Sequence, residues 1–186
     1  MVRTIVYWPD PVLDLPTEPV TAFGDALNGT LEDMLDSMHD AEGVGIAANQ
    51  VGVKLRMAWV TREDGPPFEI VNPVIVEKSE PIELEEGCLS VPDEREKVRR
   101  FGKVKVRYQD RTGATHELEA GGRLAHILQH EIDHLDGTVY VRHLSQLKRS
   151  LIRKRMTKLK AARHEHDESC ADPTHHHDGS AHAHKH

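Results

Sequence analysis

The 186-residue chain predicts an α+β fold: small antiparallel or mixed sheets packed around a central helix that carries an HExxH run, with a further helix near the C-terminus. Three observations point there. Apolar residues at helical spacing come first, a series of short alternating segments follows, and two helical stretches come last. Strands and helices are therefore segregated along the chain rather than alternating as βαβ units.

Leu27, Leu31, Met34, Leu35 and Met38 recur every three or four residues, the stripe that a helix turns toward a core, and this helix is expected to pack beneath the sheet. Strand character follows at Leu55 to Val60, Phe68 to Val71, around Ile82 to Leu84, Val104 to Tyr108 and Thr115 to Leu118. In Val104-Lys105-Val106-Arg107-Tyr108 the alternation is strict, as in a half-buried strand, and Arg111-Thr112-Gly113 supplies a turn before the last strand. The next helix is expected from near Gly122 to Asp136, with Gly137 as its stop. Leu144 to Ala162 forms the final predicted helix, where Leu144, Leu147 and Leu151 share a face and basic residues surround the second half.

Only 4% of the residues are aromatic, so the core must rest on aliphatic side chains. Residues 1–162 suffice for one catalytic domain with a substantial buried fraction. Two cysteines give no disulfide framework and favour a reducing compartment. No segment approaches 18 apolar residues and the start lacks a signal peptide's apolar block, so the expected location is the cytoplasm, with no membrane and no DNA partner. Residues 163–186 hold eight of the 14 histidines together with Cys170 and contain no Val, Leu, Ile, Met or aromatic residue. That composition predicts a disordered tail, whose imidazoles suit metal buffering as well as plain solvation.

The chemistry centres on Gln129-His130-Glu131-Ile132-Asp133-His134-Leu135-Asp136-Gly137. On a helix His130 and His134 stand one above the other, able to share one metal ion with Glu131 beside it. A solvated charged helix can carry the same pattern, so the third ligand decides. The metzincin continuation would place a histidine where Tyr140 stands, and no glutamate follows Glu131 until Glu165, so both common protease patterns lack their ligand. Upstream, Glu86-Gly87-Cys88-Leu89-Ser90 offers a thiolate. One sulfur and two imidazoles make three ligands, which leaves the open position a catalytic centre requires. A third segment, Gly43-Val44-Gly45-Ile46-Ala47-Ala48-Asn49-Gln50, allows close approach of a backbone and presents Gln50 as a neutral donor for an oxyanion. By itself it fits a tight turn packed on a helix equally well.

In this order, GxGxAAxQ, EGCLS and QHExDHxxG, the three segments resemble the peptide deformylases, over a stretch from about Pro9 to about Ala162. The resemblance implies removal of the formyl group from N-formyl-methionyl nascent polypeptides, with release of formate. It implies a single divalent ion, Fe(II) first and Zn(II) or Ni(II) as alternatives, held by Cys88, His130 and His134. Glu131 would be the general acid/base, and Gln50 with the Leu89 backbone N–H would stabilise the oxyanion; Val44, Gly45 and His126 would contact substrate. Water on such an ion is acidic enough to act as a nucleophile at neutral pH, and one oxyanion donor is typically worth about 2.7–4 kcal/mol. His126 departs from the apolar residues usual before HExxH in this family, and would narrow or polarise the pocket or point to solvent. Asp133, three positions after His130, could help orient a ligand, with a solvated acid the slightly favoured reading, and Glu86 and Arg95 are expected either to pair across the cleft or to form a surface ion pair.

Charge is polarised along the chain. The stretch from Leu144 to Ala162 carries seven basic residues and no acid, whereas residues 1–143 carry a net −11 within an overall −7. An acidic body would be repelled by RNA and the basic helix attracted, and deformylases of this type dock on the ribosome by such a helix. A solvated helix is the plainer reading. Two other function classes stay open: a zinc peptidase of the HExxH type, and a noncatalytic metal-binding, ribosome-associated protein.

Overall fold

The computed structural model describes residues 1–170, with side chains described to residue 162. Helix α1 spans Asp25–Asp40 and buries Leu27, Leu31, Met34 and Met38, while Leu35 is only partly buried. These side chains pack with Ile46, Met57, Trp59 and Val71, and the Trp59 indole N–H donates to the Leu31 carbonyl at 2.8 Å. Full burial of one such aliphatic side chain stabilises by about 1.5–3 kcal/mol, so this stripe is what holds α1 to the sheet.

The strands are β1 (Gly45–Ala47), β2 (Met57–Val60), β3 (Phe68–Cys88), β4 (Val91–Gln109) and β5 (Thr115–Gly121). They form one five-stranded sheet in sequential order, antiparallel at every pairing. That corrects the expectation of several small or mixed sheets. Two predicted strands, Phe68 to Val71 and Ile82 to Leu84, are the ends of the single strand β3, and β4 reaches back to Val91. The middle of β3 was hidden because it is mostly exposed and contains Pro81, a residue that ordinarily argues against a strand. What replaces apolar alternation there is charge: Glu77 faces Lys105, Glu83 faces Arg99 and Glu85 faces Lys97 across the hairpin. Opposite charges directly across a ladder favour the pairing.

Helix α2 spans Gly122–Leu135. Its Ala125, Leu128, Ile132 and Leu135 pack into one cluster with Val60, Ile70, Val104 and Val106 of the sheet, so the opposite side of α2 is free to face a cleft. The helix stops as expected at Gly137, whose φ is 72°. A Cβ there would also come within 2.7 Å of the Leu15 backbone, so both conformation and space demand glycine.

Helix α3 spans Gln146–Cys170, eight residues beyond the predicted end at Ala162. It docks through Ile152 and Met156, which join Trp8, Leu13, Val139 and Val141. Leu144, just before the helix, is buried, but Leu147 and Leu151 are exposed at 71% and 48%. The shared leucine face is thus not the docked one. Among the described residues no helix is long and apolar enough to cross a membrane. The expectations for residues 171–186 lie outside the described residues.

Candidate metal centre and cleft

The β3–β4 hairpin turns through Leu89 and Ser90, and a register slip between Gly87 and Cys88 sets Cys88 opposite Val91. This tip meets the cleft side of α2. One ligand atom each from Cys88, His130 and His134 lies within 4.8 Å of the others. Cys88 Sγ is 3.1 Å from His134 Nε2, and the two imidazole rings sit 4.9 Å apart at 73° to each other. His134 is wholly buried, and burial holds its pKa well below the usual histidine value, with His130 adding to the effect. Its Nδ1 has no hydrogen-bond partner among the described residues. A thiol and two imidazoles converging at this spacing, with Cys88 and His130 open to the cleft, are a donor set that would suit Zn(II) or Fe(II).

The orientation of His130 comes from a residue that sequence reading had paired elsewhere. Glu86, 2% exposed, accepts hydrogen bonds from His130 Nδ1, from His126 Nε2 at 2.9 Å, and from Arg100 Nε and Nη2 at 2.9 and 2.7 Å. Burial alone would raise this carboxyl; the bonds from His126, His130 and Arg100 outweigh it and hold the pKa far below the ordinary range. With Nδ1 engaged by Glu86, His130 has Nε2 left to offer, the arrangement by which an outer carboxylate fixes a ligand's tautomer. Arg95, the expected partner of Glu86, instead lies over Gly87. Its guanidinium could not compete, because it sits on the exposed side of β4 while Arg100 is buried.

Asp133 also departs from expectation. It is not solvated but accepts from Arg100 Nη1 at 2.6 Å and bonds His143 Nε2 at 2.7 Å. One guanidinium therefore ties together the carboxylates of β3 and α2. Glu86 precedes Cys88 by two residues, and the two-residue period of a strand was the available signal that both address the same side. Nothing local pointed to Arg100 or His143.

Glu131 lies beside the cluster, 3% exposed, and burial pushes its carboxyl up to about 7. Its Oε2 has no hydrogen-bond partner among the described residues. Gly45 makes room for it: a Cβ there would stand 2.4 Å from Glu131 Oε1. Gln50, on the short turn after β1, accepts from Ala47 N at 2.8 Å through Oε1. This pins its amide so that Nε2 reaches Ser90 Oγ at 3.2 Å and Cys88 Sγ at 3.5 Å. Asn49 braces the same turn on α2 by donating to the His134 carbonyl at 2.5 Å, a contact that no local motif announces. Val44, Gly45, Gln50, Leu89, His126 and Glu131 all line one open cleft of about 830 Å³ together with Cys88 and His130, while His134 lies buried behind it.

The model of the family described as polypeptide deformylase matches residues 2–150. Among named relatives, the peptide deformylase of Acidobacterium capsulatum is 43% identical over 166 residues, covering 87% of this chain and 98% of that one. The peptide deformylase of Brucella suis is 44% identical over 167 residues, with 87% and 95% covered. A crystal structure of a peptide deformylase from Legionella pneumophila superposes with a TM-score of 0.82 at 40% identity, covering 93% of this chain and all of that one. The Ehrlichia chaffeensis peptide deformylase in complex with actinonin gives 0.82 at 38% identity, with 84% and 96% covered. Motif order, hairpin tip, α2 and whole-chain similarity agree, and the chain belongs to the polypeptide deformylase family.

Proposed function

We propose that this chain removes the formyl group from the N-terminal formyl-methionine of newly made polypeptides, releasing formate, at a centre in which Cys88, His130 and His134 hold one divalent ion. The observation that carries this reading is the convergence of three soft and borderline ligand atoms within 4.8 Å, next to a buried carboxyl whose Oε2 has no hydrogen-bond partner among the described residues. With α2 as the central element, one helix supplies two ligands and the proton carrier, and the hairpin tip supplies the third ligand. The bound ion would make water a competent nucleophile at neutral pH and polarise the formyl oxygen.

Each remaining task falls to a residue of the chain. Glu131, with a pKa near 7, sits at the balance point where it takes a proton from the attacking water and returns it to the departing amine. Gln50 Nε2, immobilised by the Ala47 bond, donates to the oxygen on which charge develops, and the Leu89 backbone N–H is its companion. Val44 and Gly45 form the opposite wall along which the peptide lies. Fe(II) is the expected ion by family resemblance, with Zn(II) and Ni(II) as functional substitutes. Anaerobic purification followed by elemental analysis would identify it.

The decisive experiment is formate release from formyl-Met-Ala by the purified protein, set against cleavage of unformylated Met-Ala. Formate production that chelation abolishes is the expected result. Hydrolysis of the peptide bond, or metal binding without turnover, would instead favour one of the two other classes. We further place the protein in the cytoplasm, with α3 as a salt-sensitive contact to the ribosome. Lys154 and Lys158 of α3 are exposed and pair with no acid among the described residues, so replacing both with Glu should abolish co-sedimentation with ribosomes while leaving formate release intact.

A further inference from the structure

The cleft side of α2 is defined by Arg123, His126, Ile127, His130 and Glu131, all of which line the same space. These positions follow a helical stripe. His126 stands one turn before His130, and Arg123 a further turn back, about 6 and about 10 Å along the axis. A methionine side chain is about as long as one helical turn, so a first side chain directed along this stripe ends opposite His126, in the space that Arg123 also lines. The wall that meets the end of the first side chain is therefore polar, although the thioether it would receive is at best a weak acceptor.

Arg123 is exposed to the cleft and, alone on the cleft side of α2, is a cation. Among the described residues it forms no ion pair or hydrogen bond, a state it shares with Arg95 of the same cleft, whereas Arg3, Arg56, Arg100, Arg107, Arg111 and Arg142 are paired. Of the hairpin acids that line the same space, Glu86 is saturated by other donors. His126 cannot turn away to leave an apolar surface, because its Nε2 is held by Glu86 at 2.9 Å. A guanidinium with free N–H donors, beside a fixed imidazole, is matched by a side chain that ends in a strong oxygen acceptor. Oxidation of methionine produces that side chain, changing a thioether into a polar sulfoxide with almost the same length.

We infer that Arg123, with His126 beside it, is a specificity-determining residue that admits methionine sulfoxide at the first position, so that formylated peptides with an oxidised initiator residue remain substrates. The inference rests on the deformylase reading above and names a second substrate for the same site. The chemistry on the formyl group is unchanged: hydrolysis releases formate and a peptide that begins with methionine sulfoxide.

The test compares kcat/KM for formyl-Met-Ala and formyl-Met(sulfoxide)-Ala, by formate release, in the parent, Arg123→Leu and His126→Leu. The parent should process the two peptides within about fivefold of each other. Arg123→Leu removes no protein contact, so it should fold normally and lower kcat/KM for the sulfoxide peptide by about tenfold or more relative to formyl-Met-Ala, chiefly through KM. Arg123→Lys should recover part of that loss. His126→Leu, checked for metal content because of its link to Glu86, should shift preference in the same direction. A parent that rejects the sulfoxide peptide more than 100-fold, or an Arg123→Leu variant that slows both peptides equally, would overturn the inference and leave the deformylase reading standing. No formate from either peptide would sink that reading itself.

Discussion

Helices α2 and α3 are both rich in charge, and they handle it in opposite ways. Apart from Arg123 and Glu131, the charge of α2 is drawn into one paired network with the hairpin: Arg100, 5% exposed, is shared between Glu86 and Asp133, and each carboxylate also meets a histidine. On α3 the contacts with the body are single pairs near solvent, such as Lys148 with Glu96 at 2.6 Å, where the lysine is 52% exposed. The difference teaches what each region is built to do. Charges withdrawn from water must have every lone pair answered, which fixes geometry to the tolerance a ligand set needs. Charges left in water cost nothing to leave unpaired and stay available to a polyanion.

The largest expected effects lie in the first region. Glu131→Ala should retain metal yet lose about 10²–10⁴-fold in kcat, the range general acid–base groups supply, as judged by formate release together with elemental analysis. Normal turnover in that variant would remove Glu131 from the reaction. Cys88→Ser should act one step earlier, lowering metal occupancy itself, since a hydroxyl is a far poorer ligand than a thiolate for these ions. A fully metallated Cys88→Ser protein would show that the sulfur is only packing.

A direct contrast between the regions comes next. Arg100→Leu strands Glu86 and Asp133 as buried carboxylates that have lost their shared cation, and should cost about 3–5 kcal/mol in urea denaturation while also weakening metal retention through His130. Lys148→Ala breaks a pair of similar length at the surface and should cost about 0.2–1 kcal/mol, less at high salt. Equal losses would mean that burial does not distinguish the two regions.

How much of this was legible beforehand follows the same division. Cys88, His130, His134, Glu131 and Gln50 could be read because reactive residue types at fixed spacing are a local signal, and α1 and α2 because their apolar stripes repeat. The long β3–β4 hairpin could not, since its pairing is written in charges that match only across the ladder, Glu83 with Arg99 and Glu85 with Lys97. Arg100 and His143 escaped for a related reason. They meet Glu86 and Asp133 across separations of 10 to 33 residues, and any arginine or acid on a strand or helix looks solvated until the fold has buried it. The face by which α3 docks was also misleading: Ile152 and Met156 carry it, not the more regular leucines.

The smallest effect probes how α3 is fastened. Lys160 reaches Asp10 at 2.6 Å, and its hydrogen bond holds the Asp10 carboxyl below the usual aspartate value. A carboxyl whose folded pKa is depressed adds stability that is complete above its unfolded pKa, about 4, and drains away as pH falls toward the folded value. The pair is near solvent, with side chains 37% and 30% exposed, so its contribution at neutral pH should stay below about 1 kcal/mol. Lys160→Met should therefore be slightly less stable than the parent at pH 7, and the gap should close as the pH falls below the ordinary aspartate value of about 4. Trp8 is fully buried in the cluster that receives Ile152 and Met156, so its fluorescence reports the docking of α3 during urea denaturation. A gap that persists into acid would mean that the lysine's aliphatic stem, rather than its charge, is what Asp10 and the helix share.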